Sequence, residues 1–306
     1  MTIPHAVRPP PAWRVLGTFA LGALGISSSA IFVRIALPAP PVVTGFYRTL
    51  FALVPLAILA ALQRERARGG RRGRLLAAAA GALLGTDLAF WHTSIVRTSV
   101  ANASLLVNLT PIPVGLYAAW VLRERPERRF VLGAALALLG TALLLGANLG
   151  ARTALAGDVL ALVAALFYAG YLVMMKAVRR GVDLAGATLY STLGAIVVLG
   201  IYAAALGDPF TGFPARSWVA FVATALISQV ASVMAITWGL RWLRATFASV
   251  GLLLQPVGAA LLGWLVLGEG IAPLQALGGA AVLAGIFLAS RSALDPDAGA
   301  PRGDGG

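Results

Sequence analysis

The stretch PIPVGLYAAWVLRERPERRFVLGAALALLG, residues 111–140, recurs in altered form as PVGAALLGWLVLGEGIAPLQALGGAAVLAG, residues 256–285. Each copy has a proline, a glutamate 13 residues later, and glycines after a further 9 and 7 residues. These positions are Pro111, Glu124, Gly133 and Gly140 in the first copy, and Pro256, Glu269, Gly278 and Gly285 in the second. The offset is 145 residues throughout, which indicates a chain built from two related halves.

The composition indicates that both halves lie in a lipid bilayer. Of the 306 residues, 59% are hydrophobic and 11% are charged, and the mean hydropathy is +0.87. These values leave too little polar surface to cover a soluble globule. The net charge of +13 is spread over short breaks between apolar runs, so it does not indicate a nucleic-acid partner. Because the sequence has no cysteine, disulfides, thiolate metal sites and cysteine nucleophiles are excluded.

Ten apolar runs are long enough to cross the bilayer. A hydrocarbon core of about 30 Å requires about 20 helical residues. Runs of that length, bounded by charge, glycine or proline, are numbered here as spans 1 to 10. They cover residues 15–36, 43–62, 75–95, 99–122, 130–148, 157–176, 185–206, 217–238, 246–267 and 271–290.

The basic residues predict the orientation of these spans. With the N-terminus in the cytoplasm, 19 Lys and Arg fall on the cytoplasmic side and five on the other side. This asymmetry predicts a multi-pass protein of the bacterial inner membrane with both termini in the cytoplasm. The predicted parts are a cytoplasmic segment 1–14, repeats 15–148 and 157–290, and a disordered cytoplasmic tail 291–306. Since five spans per repeat is an odd number, we predict an all-α membrane fold of two inverted five-helix repeats.

This layout resembles the drug/metabolite transporter superfamily, and in particular its EamA-type ten-helix members. The resemblance rests on Phe46-x-Arg48-x-x-x-Ala52, on the repeated Pro-Glu-Gly-Gly series, and on the Leu-x-Glu phrases that end at Glu124 and Glu269. It covers about residues 13–290. The resemblance implies a secondary carrier, often an exporter of amino acids, other metabolites or toxic compounds, with a central cavity built from both repeats. The second repeat departs from the first in having Ser191 at the position of Arg48.

Asp87, near the middle of span 3, is the strongest candidate for the transport pathway. An ionised carboxylate at that depth costs about 3 kcal/mol unless it faces a partner or water. Asp87 shares a helix face with Phe90, Trp91, Ser94 and Thr98, which form a polar and aromatic stripe. This stripe fits a cavity wall with a protonatable acid, and a packing hydrogen bond to a neighbouring helix is the alternative. His92 lies about 140° around the helix from Asp87, so we interpret it as structural or interfacial.

Other polar and aromatic side chains of the spans are candidates for the same pathway. Gln229 and Ser232 share a face of span 8 near the pseudo-symmetric position of Asp87, which predicts a central polar pair. The further pathway candidates are Asn108 in span 4, Gln255 in span 9, and Tyr168 and Tyr171 in span 6. For all of these, close helix packing is the competing interpretation.

Five residues are predicted to be structural or to act in gating. Pro111 and Pro256 each remove a backbone donor, so we expect bends at symmetric places in spans 4 and 9. Glu124 lies among arginines, where a surface ion pair explains it, and Glu269 is expected to cap or brace the hairpin to span 10. Arg48 is expected to snorkel to the lipid headgroups, and contact with an anionic solute is the alternative.

These observations favour secondary active transport by alternating access, with export as the expected direction. The sequence contains no phosphate-cradling loop, zinc-ligand spacing or Ser/His/acid arrangement, so we expect no enzyme, no metal and no cofactor. The expected partners are a small-molecule substrate and the lipid bilayer. Coupling to protons stays open, as does the choice between monomer and homodimer. A channel or a scaffold protein is the alternative function.

Overall fold

A computed structural model describes residues 10–62, 70–97, 100–122, 127–146, 155–179, 181–268, 270–291 and 293–294. The regular structure in this part of the chain is helical, apart from one isolated bridge between Leu243 and Leu294. Two segments, Ala118–Leu122 and Ala225–Ser232, are π-helical. The α-helices are α1 Ala12–Ala36, α2 Pro41–Leu62, α3 Arg71–Arg97, α4 Val100–Val107, α5 Pro111–Tyr117, α6 Arg128–Gly146, α7 Leu155–Arg179, α8 Leu184–Leu206, α9 Ala215–Thr224, α10 Val233–Gly239, α11 Ala245–Gly251, α12 Leu254–Leu267 and α13 Pro273–Ser290.

Nine helical stretches in the described residues are long and apolar enough to cross a membrane. Span 8 is one of them, made of α9, the second π-helical segment and α10, and span 9 is made of α11 and α12. The remaining predicted span, span 4, contains a shorter apolar helix over Ser104–Trp120. The prediction of an all-helical membrane protein is confirmed.

Both repeated prolines follow an interruption of their span. Turn residues 108–110 separate α4 from Pro111, the first residue of α5. Turn residues 252–253 separate α11 from α12, and Pro256 lies in the first turn of α12. A proline is tolerated in a first helical turn because the backbone N–H that it lacks has no intrahelical partner there. Spans 4 and 9 are therefore interrupted at symmetric places, just before the two prolines.

The repeated glycines form a direct contact between the two repeats. A Cβ atom built on Gly133 would lie 2.6 Å from the carbonyl oxygen of Gly285, and one built on Gly140 would lie 2.7 Å from that of Gly278. The converse distances are 2.5 and 2.7 Å, so the backbones of α6 and α13 touch. The earlier glycine of each helix meets the later glycine of the other, so the two helices are antiparallel. Inverted repeats require this arrangement of equivalent helices.

Helix α3, which carries Asp87, lies between α7 and α8. A Cβ on Gly81 would overlap the carbonyl oxygen of Ser191, at 1.7 Å, and one on Gly194 would overlap that of Ala78, at 1.9 Å. On the side of α7, Gly170 packs against Leu83, whose nearest atom would be 3.2 Å from an added Cβ. These contacts hold the polar face of α3 inside the protein, away from lipid.

The start of the C-terminal tail differs from its predicted disorder. Leu294 forms an antiparallel bridge with Leu243, and the Arg244 amide donates to the Ala293 carbonyl at 2.8 Å. Residues 293 and 294 are therefore paired with the connector between spans 8 and 9, residues 240–244. The later residues of the tail, like residues 1–9, lie outside the described part.

Candidate functional site

Arg48 lies at the centre of the polar groups inside the helix bundle. Its side chain is buried, with 7% of its surface exposed. The Nε group donates to Oε1 of Gln229 at 2.9 Å, and Nη1 donates to the hydroxyl of Ser29 at 3.4 Å. The prediction that Arg48 snorkels to headgroups is therefore wrong. The fold brings spans 1 and 8 against span 2, and their acceptors replace the headgroups as partners of the guanidinium.

A sequence signal for this burial was available in span 2. Arg48 shares a helix face with Thr44, Gly45 and Ala52, which are small or weakly polar and are all buried. Small residues spaced three and four positions apart mark the face on which a membrane helix packs against its neighbours. An arginine on that face points into the protein.

Gln229 connects Arg48 to the second repeat. Its side chain is fully buried, and Nε2 donates to the hydroxyl of Thr192 on α8 at 3.2 Å. Bonds therefore run from Thr192 through Gln229 and Arg48 to Ser29, which links α8, the π-helical segment, α2 and α1. The sequence paired Gln229 with Asp87, whereas in the structure its hydrogen-bonding partner on the first repeat is Arg48.

Ser232 makes local contacts, and its predicted pathway role stays a prediction. Its hydroxyl donates to the carbonyl of Ile227 at 2.7 Å, and a Cβ on Gly25 of α1 would lie 2.1 Å from its Oγ. Ser232 therefore packs against α1. The prediction assumed α-helical periodicity, but i→i+5 bonding in the π-helical segment changes the rotation per residue, so positions 229 and 232 no longer share a face.

Asp87 is also buried, and it has no direct ion-pair partner among the described residues. The carboxylate is 6% exposed, and its Oδ1 makes no hydrogen bond to any residue that the structure describes. Arg48 and Asp87 interact electrostatically, yet no nitrogen–oxygen distance between them is within 4.0 Å. The guanidinium and the carboxyl group therefore influence each other electrostatically without forming a direct ion pair.

Two further polar atoms on the same turns of α3 lack protein partners. The Nε1 of Trp91 and the Nδ1 of His92 are buried and make no hydrogen bond within the described residues. The His92 ring packs on Gly45, with Cε1 3.2 Å from where a Cβ would be, and lies 5.1 Å from the Trp91 ring. Each buried polar atom without a partner costs about 1–3 kcal/mol, so several on neighbouring turns indicate a site for polar ligand groups or water.

Two tyrosines and a glutamine lie beside this polar centre. The rings of Tyr168 and Tyr171 on α7 are 6.0 Å apart and 15° from parallel. Both tyrosines interact electrostatically with Arg48, and the Tyr168 side chain interacts with Gln255 of α12 by a hydrogen bond. Two predicted pathway residues of the second repeat, Tyr168 and Tyr171, thus interact with Arg48 of the first, and Gln255 bonds to one of them.

Asn108, another predicted pathway residue, bonds locally. The side-chain amide of Asn108 donates to the Ser104 carbonyl of its own helix at 2.7 Å, so this amide group is satisfied locally. Glu124 and Glu269, together with Thr98 of the Asp87 stripe, lie outside the described residues.

Side-chain contacts join the helices at each end of the bundle. The aromatic end is built from Phe46, Tyr47, Phe51, Phe210, Phe213, Trp218 and Phe221. There the Tyr47 hydroxyl donates to the Phe210 carbonyl at 2.6 Å, and its ring stacks on Phe221 at 4.9 Å. Helix α8 ends at the aromatic end. It begins at the opposite end, called here the basic end, which contains Lys176 and Arg179.

The basic end is held by two buried cations of α7 that the sequence interpretation counted only as markers of the cytoplasmic side. Lys176 Nζ donates to the carbonyl of Leu243 in the connector 240–244. Arg179 donates to the carbonyls of Thr237, at 3.3 Å, and Val182. Their burial to 1% and 3% exposure could not be read from the sequence, because cations in a last helical turn are equally common on a solvated surface.

Comparison with known proteins agrees with this architecture. The model of the EamA-like transporter family matches the chain twice, over residues 13–146 and 155–291. An uncharacterized transporter of Archaeoglobus fulgidus is 28% identical over 205 residues, which cover 67% of this chain and 72% of that protein. The uncharacterized transporter YxxF of Bacillus subtilis is 29% identical over 251 residues, 79% of each chain. A solved crystal structure superposes with a TM-score of 0.75 over 90% of this chain and 96% of its own, and at 20% identity this likeness shows the fold alone.

Proposed function

Because the chain belongs to the EamA-like transporter family, we propose that it is a secondary active transporter that exports a small polar metabolite by alternating access. The proposed binding site lies between Arg48 and Asp87, beside Tyr168 and Tyr171. The protein carries its solute across the bacterial inner membrane, with both termini in the cytoplasm.

The gap between the buried charges of Arg48 and Asp87 is the observation that supports this site. A guanidinium and a carboxylate inside a membrane protein ordinarily pair directly, because each costs several kcal/mol when it is buried alone. Here the two side chains interact electrostatically with no nitrogen–oxygen contact within 4.0 Å, and Oδ1 of Asp87 has no partner among the described residues. A solute with an anionic and a cationic group would satisfy both charges.

This arrangement favours zwitterionic solutes, including amino acids, over simple anions. The stacked tyrosines add an amphipathic wall that suits a solute with an apolar part. Both repeats contribute to the site, and the broken spans 4 and 9 give each repeat a place to bend. Two oppositely oriented halves of similar structure can exchange conformations around one central site, which is the requirement of alternating access.

Transport in proteoliposomes tests the proposal. Purified protein is reconstituted and offered pooled radiolabelled amino acids, nucleosides and cationic dyes, with and without an imposed pH gradient. We expect flux of one zwitterionic class that saturates with concentration. If a proton shares Asp87 with the solute, this flux should follow the pH gradient.

Matched substitutions separate the binding site from general damage. Asp87→Asn and Arg48→Gln each remove one charge–ligand hydrogen bond, so flux should fall by about tenfold or more. Asp208→Asn, in the loop between α8 and α9, and Arg216→Gln, at the start of α9, make the same chemical changes away from the proposed site. These two control variants should leave flux unchanged. Wild-type flux in Asp87→Asn at several pH values would rule out the proposed role of this carboxylate. Unselective flux at channel-like rates would favour a channel.

A further inference from the structure

We propose that Gln229 is the positioning residue of this site: it holds the Arg48 guanidinium in a fixed orientation while leaving its charge available to a ligand. The inference rests on the proposed function for what that ligand is, but the geometry of the contact stands independently. Gln229 lies 181 residues from Arg48 in the sequence and belongs to the other repeat.

Two hydrogen bonds are enough to orient the guanidinium of Arg48. This group is planar, so fixing two of its nitrogens fixes the direction of the third. Nε bonds to Gln229 and Nη1 to Ser29, whereas Nη2 has no hydrogen bond to a described residue. Two side chains from α1 and the π-helical segment therefore leave one set of donors for a ligand.

The side-chain amide of Gln229, which holds Arg48, carries no charge. A carboxylate at position 229 would form an ion pair with Arg48 and cancel the field that attracts an anionic group. A neutral amide satisfies the Nε–H without neutralising the cation. Ser191, which corresponds to Arg48 in the second repeat, donates to the Thr188 carbonyl of its own helix at 3.0 Å and adds no charge.

Thr192 helps to hold the amide of Gln229 in its orientation. A glutamine side chain can present either its oxygen or its NH₂ group to a neighbour, and only the oxygen can accept from Arg48. The guanidinium therefore selects the oxygen, and the NH₂ group then donates to Thr192 at 3.2 Å, which holds the amide in that orientation. All three side chains are buried, with exposed fractions of 0%, 0% and 7% for Thr192, Gln229 and Arg48, so water does not compete for these bonds.

The π-helical segment places Gln229 where its side chain can bond to both Arg48 and Thr192. Residues Ala225–Ser232 bond i→i+5, which shifts the face on which each side chain lies compared with an α-helix. The segment is fastened to α1 by Ser28 and Ser228, whose hydroxyls are 3.3 Å apart. A single turn of this kind is less favourable than an α-helical turn, and such turns occur frequently at functional sites.

The test combines a readout that needs no substrate with a transport measurement. The first readout is the Nε–H resonance of Arg48 in protein labelled with ¹⁵N-arginine, assigned by its loss in Arg48→Lys. In the wild type we expect this proton to exchange slowly with water. Gln229→Leu should accelerate the exchange by about tenfold or more, since the bond that protects the proton is removed.

The second readout is the KM for the labelled amino acid of the pool that the wild type carries fastest. Gln229→Leu and Gln229→Glu should each raise KM by about tenfold, with a smaller change in maximal rate, because they alter ligand binding and not the conformational step. Thr192→Val should do the same, whereas Thr192→Ser, which keeps the hydroxyl, should stay within about twofold of the wild type.

The outcomes separate this inference from the proposed function. Unchanged Nε–H exchange in both Gln229→Leu and Thr192→Val would overturn the positioning role, whatever the protein transports. Altered exchange together with no amino-acid flux in the wild type would support the positioning of Arg48 and overturn the proposed substrate. If Gln229→Leu fails to fold, the Val and Ser variants of Thr192 decide, because Val replaces only its hydroxyl group and Ser removes only its methyl group.

Discussion

Replacing Gly140 by alanine should destabilise the protein by forcing α6 and α13 apart. A Cβ at this position would lie 2.6 Å from the Val282 amide nitrogen and 2.7 Å from the Gly278 carbonyl oxygen. Ordinary contact begins at 3.4 Å, so the backbones would have to separate by about 0.8 Å. Overpacking of this kind costs about 1–3 kcal/mol, and the better helix propensity of alanine offsets about 0.5–1 kcal/mol of that. The expected net loss is about 1–2 kcal/mol.

Thermal unfolding in detergent measures this loss, with Gly17→Ala as the matched control. Gly17 lies within α1, and a Cβ there would have no neighbouring atom within 4 Å. We expect a Tm about 2–6 °C lower for Gly140→Ala, and an unchanged or slightly higher Tm for Gly17→Ala. Equal Tm values for the two variants would refute the close backbone contact on which the pairing of the repeats depends.

Three other predictions concern the two ends of the bundle. Lys176→Met should increase hydrogen exchange of the connector 240–244 by about tenfold, because it removes the charged donor to the Leu243 carbonyl, whereas Lys176→Arg should change it little. Unaltered exchange in the Met variant would show that the connector is held by other contacts. Tyr47→Phe removes the hydrogen bond to the Phe210 carbonyl and should lower the free energy of unfolding by about 1 kcal/mol, which denaturant titration would detect. Since the chain has no cysteine, Arg216→Cys should react with an impermeant maleimide added to intact cells, and labelling only after lysis would reverse the proposed orientation.

Several parts of the site followed from the sequence because the signals were local. A carboxylate in the middle of an apolar span must avoid lipid, so Asp87 was identified without any neighbour being known. Pro111 and Pro256 each lack a backbone donor, which disfavours the interior of a helix, and the structure has breaks just before both. Tyr168, Tyr171 and Gln255 were selected as polar or aromatic side chains within a span, and they lie beside Arg48.

The incorrect predictions concern residues whose role depends on a distant partner. Arg48 was assigned to headgroups because it lies near the outer end of its span, and its acceptor, Gln229, belongs to the other repeat. Ser232 was placed on the same helix face as Gln229 on α-helical periodicity, which the π-helical segment does not follow. Lys176 and Arg179 look like ordinary cytoplasmic-side cations until the fold shows the carbonyls to which they donate.

The sequence by itself determined that this chain lies in a membrane, that it contains two repeats, and that an odd number of spans inverts the second. These properties depend on composition, length and periodicity, which a linear chain carries in full. Only the tertiary structure decided which face of each helix meets protein and which meets lipid. In an apolar helix both faces have nearly the same hydropathy, so this choice depends on close contacts such as Gly133 with Gly285, and on the polar partners that those contacts bring within reach.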